Sequence, residues 1–436
     1  MRSVFVLVVV TLLAATASAQ WVDTTLTVAA GPWRFCHNSQ NDRVYCGCFS
    51  ADTVAVIDGA SNAILTSLAV GRLPHDLCYN PTDNKVYCAN EDSGSITVID
   101  GASSSIITTV ETGRQLWDLC YNSQNNKVYC TAYSVDSVFV VDGATNAVIA
   151  RIRVGNDAYN LCYNSAGNKV YCANRADHTV TVIDGASNAV LATVPVGAYP
   201  AAFCSNPEEN KVYVANFDAS TVTIIDGASN AVLATVDVGA GPYGFCYDSV
   251  DNRVFCTNIS AGSVSVIDGA SNLVLDTVAV GAGPRGCCYC AQHNLVFCAN
   301  SNASSVSVID AGTMSVIVTV PVGAGPQNVC YNPQDDKAYV ASFDAGTVTI
   351  LNAGAGIEET PSTKVLTPNR GATVVHGVLF LPAASSLKPQ APSRLMDISG
   401  TKVLDLHAGG NDVRALAPGV YFARDASSVR RVVILP

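Results

Sequence analysis

Residues 77–90 read LCYNPTDNKVYCAN, and this stretch decides the fold because close copies of it recur every 42 residues along a chain of 436. Its second position is a cysteine in every copy: Cys36, Cys78, Cys120, Cys162, Cys204, Cys246, Cys288 and Cys330. An acid that follows an aliphatic run keeps the same step at Asp58, Asp100, Asp142, Asp184, Asp226, Asp268 and Asp310, with Asn352 in the eighth place. An internal repeat of this length that never changes register is typical of a solenoid or a propeller.

Four short β patterns occupy each repeat. Leu77–Asn80 and Lys85–Asn90 flank the turn sequence Pro-Thr-Asp-Asn, which predicts a hairpin. Ser95–Asp100 alternates polar and β-branched residues, and Ser105–Val110 follows a turn of Asp, Gly, Ala and Ser. No part of the repeat has helical spacing, so each repeat is predicted to form one four-stranded antiparallel blade. Stacked blades are expected to bury both faces of each sheet, which accounts for a chain that is 49% hydrophobic and 14% charged.

The number of strands predicts how the ring closes. The first three strands of the unit occur eight times, whereas the fourth follows a complete trio only seven times. Thr24–Val28 matches the missing strand, with Val28 set 42 residues before Val70. The sequence therefore predicts an all-β, eight-bladed β-propeller over residues 20–352, in which the N-terminal strand completes the last blade and removes the exposed edges of an open array.

Residues 213–216 read YVAN, and residues 87–90 and 171–174 read YCAN, with cysteine in place of valine. Through this motif the repeats resemble the YVTN-type β-propeller repeat family over residues 21–352. The resemblance implies an exported or surface propeller. Some relatives bind other macromolecules and many have no assigned activity, so fold and family leave the function open.

The first nineteen residues predict a signal peptide. Arg2 precedes an apolar run from Val4 to Leu13, and residues 17–19 (ASA) are the small-residue pattern that signal peptidase reads. We therefore expect cleavage before Gln20 and export of the mature chain. No transmembrane anchor is predicted, because the apolar run is too short for a bilayer span. A buried N-terminal strand is the alternative.

A C-terminal module is predicted after a linker at residues 353–360, where the sequence AGAG breaks the repeat. Residues 361–436 contain no cysteine, and short apolar segments alternate there with glycine and proline. These features predict a small Ig-like β-sandwich. The predicted strands are Val374–Leu381, Arg394–Ile398, Lys402–Leu406, Gly419–Ala423 and Arg430–Leu435.

Three motifs occur in order in this module: LMDISG at 395–400, LAPGVYF at 416–422 and the basic final strand RRVV at 430–433. With these motifs the module resembles the C-terminal sorting domain of type IX secretion. Residues 368–370 (PNR) depart from the family, which usually has a second proline there. The resemblance implies that the type IX secretion machinery is a partner and that the protein is secreted or displayed on the outer cell surface. An accessory Ig-like stalk is the alternative.

Charge argues against one class of partner. Residues 1–360 hold 15 basic and 31 acidic side chains, a net charge of −16, and residues 361–436 hold 9 and 4, a net charge of +5. An acidic main body disfavours nucleic acid, whose phosphates attract basic surfaces.

Seventeen cysteines raise the question of disulfides and metals. Six repeats carry a second cysteine ten residues after the first, giving candidate bridges 36/46, 78/88, 120/130, 162/172, 246/256 and 288/298. Val214 and Val340 replace that second cysteine in the other two repeats, which favours packing as a small apolar residue, and both alternatives stay open. Strand alternation places Cys288 and Cys290 on one face and Cys287 on the other, so no metal site is predicted. The repeated Asp-Gly pairs are interpreted as turn residues rather than calcium ligands, and no cofactor is expected.

Variation at one loop predicts where a ligand binds. In the loop that leads into the first strand of each blade, two adjacent positions change from repeat to repeat while the blade itself stays constant. Such loops surround one mouth of a propeller's channel, and large amphipathic side chains there suit recognition. The candidate ligand-binding residues are Trp33, Arg34, His75, Asp76, Trp117, Asp118, Tyr159, Tyr243, Arg285 and Gln327. The alternative is that they plug the channel and pack its loops.

The sequence favours a non-catalytic, exported binding module whose partner is an unknown extracellular ligand or protein. A propeller enzyme such as a lactonase-like hydrolase is the runner-up, although no nucleophile motif is present. Its general base would come from one polar cluster at the mouth, made of Arg72, His75, Asp76, Arg114 and Asp118. A structural surface-layer component, which needs no ligand, is the third class.

Overall fold

The computed structural model describes residues 21–355 and seven strands further along the chain. The chain folds as two compact units, 1–356 and 357–436. The predicted signal peptide at residues 1–19 and residues 356–360 of the predicted linker lie outside the described residues.

Residues 21–355 form eight four-stranded antiparallel sheets, which are the blades of a propeller. The first strands are Pro32–Asn38, Pro74–Asn80, Leu119–Asn122, Ala158–Asn164, Pro200–Asn206, Pro242–Asp248, Pro284–Cys290 and Pro326–Asn332. The second strands are Arg43–Cys48, Lys85–Asn90, Lys127–Ala132, Lys169–Asn174, Lys211–Asn216, Arg253–Asn258, Leu295–Asn300 and Lys337–Ser342. The third strands are Thr53–Asp58, Ser95–Asp100, Ser137–Asp142, Thr179–Asp184, Thr221–Asp226, Ser263–Asp268, Ser305–Asp310 and Thr347–Asn352.

The fourth strands lie on the circumference of the propeller. They are Ile64–Ala69, Ile106–Glu111, Val148–Arg153, Val190–Pro195, Val232–Asp237, Val274–Ala279, Ser315–Pro321 and, in the last blade, Val22–Thr27. Among residues 21–355, short 3-10 helices follow the second strands of blades 1, 3 and 7, at Phe49–Ala51, Tyr133–Val135 and Ser301–Ala303.

The N-terminal strand closes the ring, as predicted from the strand count. It pairs antiparallel with the third strand of blade 8, where Thr25 lies opposite Thr349 and Leu26 opposite Val348. Leu26 also packs against the hydrophobic cluster that blades 8 and 1 share. The all-β, eight-bladed propeller is confirmed.

Burial falls from the axis to the rim. Val44 and Tyr45 of the second strand and Val56 of the third strand are fully buried between neighbouring blades. The outer strands alternate instead, and Ile64 and Leu65 are 41% and 46% exposed. The expectation that every strand is buried on both faces is therefore wrong for the outer strands, because neighbouring blades diverge toward the circumference.

The register of the first hairpin decides the cysteine question. Cys36 lies opposite Tyr45, whereas Cys46 lies opposite Phe35, so the two thiols project from opposite faces of the sheet. Cys36 packs with Cys88 of the next blade, and Cys46 packs toward the preceding one. All seventeen cysteines are free, so the disulfide alternative is wrong and the packing alternative is confirmed.

A basic residue at the start of the second strand joins most blades to their neighbours. Lys85 Nζ donates to the carbonyl oxygens of Gly143 (2.7 Å) and Ala144 (3.0 Å) and to Asn146 Oδ1 (3.1 Å), all in the next blade. Equivalent contacts come from Arg43, Lys127, Lys169, Lys211, Arg253 and Lys337. The turn that Lys85 contacts begins with the repeated aspartate, which is Asp142 in blade 3. Its Oδ1 accepts a hydrogen bond of 2.8 Å from the backbone N–H of Thr145. The turn interpretation of these aspartates is confirmed.

The second unit contains seven described strands. They are Thr373–Val375, Val378–Leu381, Ser393–Met396, Lys402–Leu406, Gly409–Asp412, Gly419–Arg424 and Val429–Ile434. Five of them form one sheet in the order first, seventh, sixth, third, fourth, and the second and fifth pair separately. The single strand predicted over 374–381 is two strands, and Gly409–Asp412 was missed because its sequence lacks β-branched residues. The Ig-like sandwich and the sorting domain stay predictions.

Across residues 21–355 and the seven later strands, no helix combines the length and the apolar character that a bilayer crossing requires.

Candidate functional site

The mouth of the channel is built by the starts of the inner strands. First strands of neighbouring blades contact one another around the ring, so they surround the channel. Near its start, the first strand changes register with the second strand of the same blade. In blade 1 the shift lies between Pro32 and Phe35. A bulge of this kind re-aims side chains. It places the two variable positions, 33 and 34 in blade 1, at the rim and wall of the channel.

A cavity of about 330 Å³ opens at this mouth. The second variable position of all eight blades contributes to its lining: Arg34, Asp76, Asp118, Asn160, Ala202, Gly244, Gly286 and Asn328. The next position contributes an apolar wall made of Leu77, Leu119, Leu161, Phe203 and Phe245. Charged and amide side chains cluster on one side, whereas Ala202, Gly244 and Gly286 leave space on the other.

An aromatic collar follows the rim of the cavity. The ring centroid of Trp33 lies 5.5 Å from that of Phe343 and 5.9 Å from that of His75. His75 packs on Trp117 at 3.7 Å, and Trp117 stacks on Tyr159 at 4.6 Å. Both tryptophans pack against collar neighbours on two sides, but only Trp33 lines the cavity, which makes Trp117 less available to a ligand.

Arg175 extends the collar from a different loop. Its guanidinium lies 4.1 Å from the ring centroid of Tyr159 and 4.7 Å from that of Tyr199, as in cation–π pairs. Its Nε donates to Asp157 Oδ2 at 2.6 Å. Sequence analysis missed Arg175, although a third variable position was visible in the repeat: Phe49, Glu91, Tyr133, Arg175, Phe217, Ile259, Ser301 and Phe343.

Two carboxylates of the cavity wall also hold the next blade in place. Asp76 Oδ2 accepts the backbone N–H of Leu119 at 2.9 Å, and Asp118 Oδ2 accepts that of Leu161 at 2.7 Å. Burial raises the pKa of both carboxyl groups, and the neighbouring Asp76 charge raises the pKa of Asp118 further. The positive charge of Arg34 acts in the opposite direction on both.

Arg34 enters the same cavity without a direct partner. Among the described residues, its guanidinium forms no hydrogen bond and no contact ion pair with another side chain. Burial alone would lower the pKa of Arg34, but the Asp76 and Asp118 carboxylates more than offset this effect and raise it. Arg34 therefore lies beside two acids that it attracts without a contact ion pair, and those acids are hydrogen-bonded to each other. A second cation of the lining, Arg285, lies with its guanidinium 5.4 Å from the ring centroid of Tyr243.

His75 lies behind the cavity wall. It is 3% exposed, and its Nδ1 donates to the carbonyl oxygen of Trp117 at 2.8 Å. This bond leaves Nε2 as the unprotonated nitrogen, which is buried without a partner. Burial, and secondly the charge of Arg34, lower the pKa of His75 to about 3.

The polar cluster of the runner-up enzyme is not assembled. His75 does not line the cavity, and Arg72 instead pairs with Asp92 at 2.9 Å at the surface. Arg114 is exposed. The placement of these residues gives no support to His75 as a general base.

Seven of the ten candidate residues meet at the cavity: Trp33, Arg34, Asp76, Asp118, Tyr243, Arg285 and Gln327. His75, Trp117 and Tyr159 lie in the collar instead. Sequence analysis missed the apolar wall, because leucine and phenylalanine inside a strand resemble ordinary core residues. In the described residues, no three His, Cys, Asp or Glu side chains are grouped so that they could hold a metal ion.

A family model described as YNCE-like beta-propeller matches residues 4–338. The chain belongs to the YNCE-like β-propeller family. The match covers most of the repeats of this YNCE-like propeller, and all the residues that line the cavity lie within it. No curated protein sequence matches the chain significantly.

Solved structures share the fold of this YNCE-like propeller. Sqt1 of Saccharomyces cerevisiae superposes with a TM-score of 0.67 at 12% identity, covering 76% of this chain and 98% of Sqt1. The dihydro-heme d1 dehydrogenase NirN in complex with DHE has a TM-score of 0.62 at 14% identity, covering 77% of this chain and 76% of its own. Kuenenia stuttgartiensis hydrazine synthase has a TM-score of 0.54 at 15% identity, covering 76% of this chain and 99% of its own. At these identities the likeness shows the fold alone, so function must be argued from the mouth itself.

Proposed function

We propose that this YNCE-like propeller is an exported, non-catalytic binding module that holds its ligand or protein partner at the channel mouth. The observation that carries the proposal is the convergence of seven of the ten predicted ligand-binding residues on one cavity of about 330 Å³. Ligand pockets are typically concave, mostly apolar and furnished with a few placed polar groups, from roughly 300 Å³ upward. The cavity matches these sites in volume and in its placed polar groups, Arg34, Asp76 and Asp118, while its accessible surface is more polar than apolar.

The unpaired charges argue against a channel plug. A partly buried guanidinium without a contact partner loses part of its hydration, which costs free energy, and a plug has no need of such a group. Apolar side chains would fill the same space at lower cost, as they do between the blades. Arg34 at this position is better explained by a ligand that completes its hydrogen bonds.

Export and surface delivery are parts of the same proposal. They rest on the apolar N-terminal run with its ASA motif and on the three sorting-domain motifs after residue 361. The proposed partners are an extracellular ligand or protein for the propeller and the type IX machinery for the C-terminal module. The YVTN-type relationship seen in the repeats is consistent with an exported propeller.

A thermal-shift screen of the full-length protein tests the binding function. Glycans, short peptides and small metabolites are added one by one, and each compound that raises the melting temperature is tested again on two variants. Ala202→Leu narrows the cavity, which Ala202 lines. Ala186→Leu makes the same change in an exposed turn at the far end of blade 4.

We expect at least one compound whose stabilising effect is lost in Ala202→Leu and kept in Ala186→Leu. A compound that stabilises both variants equally would place binding outside the cavity. A screen in which no compound stabilises the protein would contradict a small-molecule or short-peptide ligand at the mouth.

A further inference from the structure

Three of the four charged side chains that line the cavity come from consecutive blades, and the fourth, Arg285 of blade 7, lies 5.4 Å from the ring centroid of Tyr243. Arg34, Asp76 and Asp118 occupy the same position of blades 1, 2 and 3, each 42 residues after the one before. Asp76 and Asp118 are 8% and 7% exposed, so little water reaches them. Opposite charges are therefore fixed side by side in one wall.

Arg34 forms no contact ion pair among the described residues, while the carboxyl groups of Asp76 and Asp118 are hydrogen-bonded to each other. Each carboxylate gives one oxygen to a backbone N–H of the next blade, at 2.9 Å for Asp76 and 2.7 Å for Asp118. No lysine or arginine among the described residues forms an ion pair with either carboxylate, and the donors of Arg34 are unused. A ligand with groups of both signs would supply partners for the cation and the acids at once.

Ligands with a single charge fit this wall poorly. An anion that reached Arg34 would lie close to the Asp76 and Asp118 carboxylates. A cation that reached the two acids would lie close to the guanidinium. A zwitterion avoids both repulsions, because its carboxylate can accept the paired N–H groups of Arg34 while its ammonium donates to the acids.

The rest of the cavity specifies the size and polarity of the ligand. Phe203 and Phe245 form part of an apolar wall, and the small residues Ala202, Gly244 and Gly286 leave room beside it. A volume of about 330 Å³ suits a ligand with the size of one or two amino acids.

We propose that the cavity binds a small zwitterion of the α-amino acid class with an apolar side chain. The carboxylate lies on Arg34, the ammonium lies on Asp76 and Asp118, and the side chain lies against the apolar wall. This inference rests on the proposed function, because it names the ligand class for the same mouth.

Three compounds that share one phenyl ring separate the contributions of the two charges. L-phenylalanine carries both charged groups, 3-phenylpropionate lacks the ammonium, and 2-phenylethylamine lacks the carboxylate. Calorimetric titration of the full-length protein should give the tightest binding for L-phenylalanine, by about 10-fold or more over either analogue, because each charged hydrogen bond contributes on that scale.

Two variants assign the charges to residues. Arg34→Gln should weaken L-phenylalanine binding about 10- to 100-fold and leave 2-phenylethylamine nearly unchanged. Asp76→Asn, which keeps an oxygen for the Leu119 N–H, should weaken L-phenylalanine and 2-phenylethylamine but not 3-phenylpropionate. Arg153→Gln removes the same charge from an exposed outer strand and should change none of the three affinities.

Equal affinity for L-phenylalanine and one of its analogues would overturn the zwitterion proposal. So would an Arg34→Gln variant that weakens 2-phenylethylamine as much as L-phenylalanine. If none of the three compounds binds, but a compound of the screen loses its stabilising effect in Ala202→Leu, the proposed ligand class is wrong and the mouth remains the binding site. If L-phenylalanine binds to Ala202→Leu as tightly as to the wild type, its binding site does not lie at the mouth.

Discussion

The Oδ2 atom of Asp76 accepts a hydrogen bond of 2.9 Å from the backbone N–H of Leu119. The bond joins blade 2 to the inner strand of blade 3, and both residues line the channel cavity. Asp118 repeats the arrangement toward blade 4. The side chains that charge the cavity therefore also order its wall, so variants at these positions must be tested for folding as well as for binding.

Removing the Asp118 carboxyl should destabilise the propeller through a lost interblade hydrogen bond. Asp118→Ala leaves the buried N–H of Leu161 without its acceptor, which should cost about 1–3 kcal/mol in the free energy of unfolding. Asp118→Asn keeps an oxygen there and should recover most of that loss. Urea unfolding of both variants checks this, and equal stability of the two would show that the hydrogen bond contributes nothing.

The buried His75 should make the protein sensitive to mild acid. Its pKa is lowered from 6.5 to about 3. Between pH 3 and pH 6.5, His75 is therefore protonated in the unfolded chain but not in the folded chain. The contribution of His75 to stability is complete above about pH 6.5 and is lost progressively as the pH falls toward 3. His75→Gln keeps a donor for the Trp117 carbonyl and cannot titrate, so its unfolding free energy should fall less than that of the wild type between about pH 7.5 and 4.5.

The comparison with His75→Gln also separates this effect from other titrations. The raised pKa of Asp118 acts with the opposite sign, because the folded state keeps its proton longer and loses stability as the pH rises above the ordinary carboxyl range. Asp118 is present in both proteins, so its contribution largely cancels in their difference. Parallel pH profiles for the wild type and His75→Gln would contradict the assignment to His75.

Deleting residues 20–29 should destabilise the propeller more than the loss of its side chains alone. The deletion removes the strand that pairs with Thr347–Asn352 and exposes its edge. It also removes Trp21, which is 3% exposed and packs edge-on against Phe297. Trp21→Ala is the matched control, because it keeps the strand and should cost about 3–5 kcal/mol. A truncation that unfolds at the same urea concentration as Trp21→Ala would show that closure adds nothing.

The cysteines should behave as buried packing residues. Cys88→Val reproduces the residue found at the equivalent positions Val214 and Val340 and should change stability by less than about 1.5 kcal/mol. A reducing agent should leave the melting temperature unchanged, because all seventeen thiols are free. Thiol labelling with and without denaturant measures the same property, and a protein with fewer than seventeen reactive thiols after unfolding would contradict it.

Deleting residues 357–436 should leave the propeller folded but block its delivery. The boundary between the two compact units falls near residue 356, so we expect the melting profile of the propeller to survive the deletion. Cell-surface labelling and fractionation should find the shortened protein in the periplasm. Normal surface display after this deletion would contradict the sorting role of the C-terminal module.

The fold was predictable because the sequence repeat determines the number of blades and their strands. Of the site, only its position at the channel mouth was predictable. A period of 42 residues fixes the blades and the strand count fixes the closure, whatever the details of packing. The variable loop positions located the mouth, but the stacking of His75, Trp117 and Tyr159 depends on side-chain geometry between neighbouring blades. The faces of Cys36 and Cys46 likewise depend on a hairpin register that is offset by one residue, which composition does not reveal.

Tryptophan fluorescence tests the central claim, that the channel mouth is the binding site, most directly. The chain has three tryptophans: Trp33 lines the cavity, Trp117 lies in the collar, and Trp21 is buried beside Phe297. A variant that keeps only Trp33, with phenylalanine at the other two positions, is titrated with a compound that stabilises the wild type, beside a variant that keeps only Trp21. We predict a saturable change in emission from Trp33, with the affinity of the wild type, and no change from Trp21. Binding of normal affinity without any change in the emission of Trp33 would contradict a ligand site at the mouth.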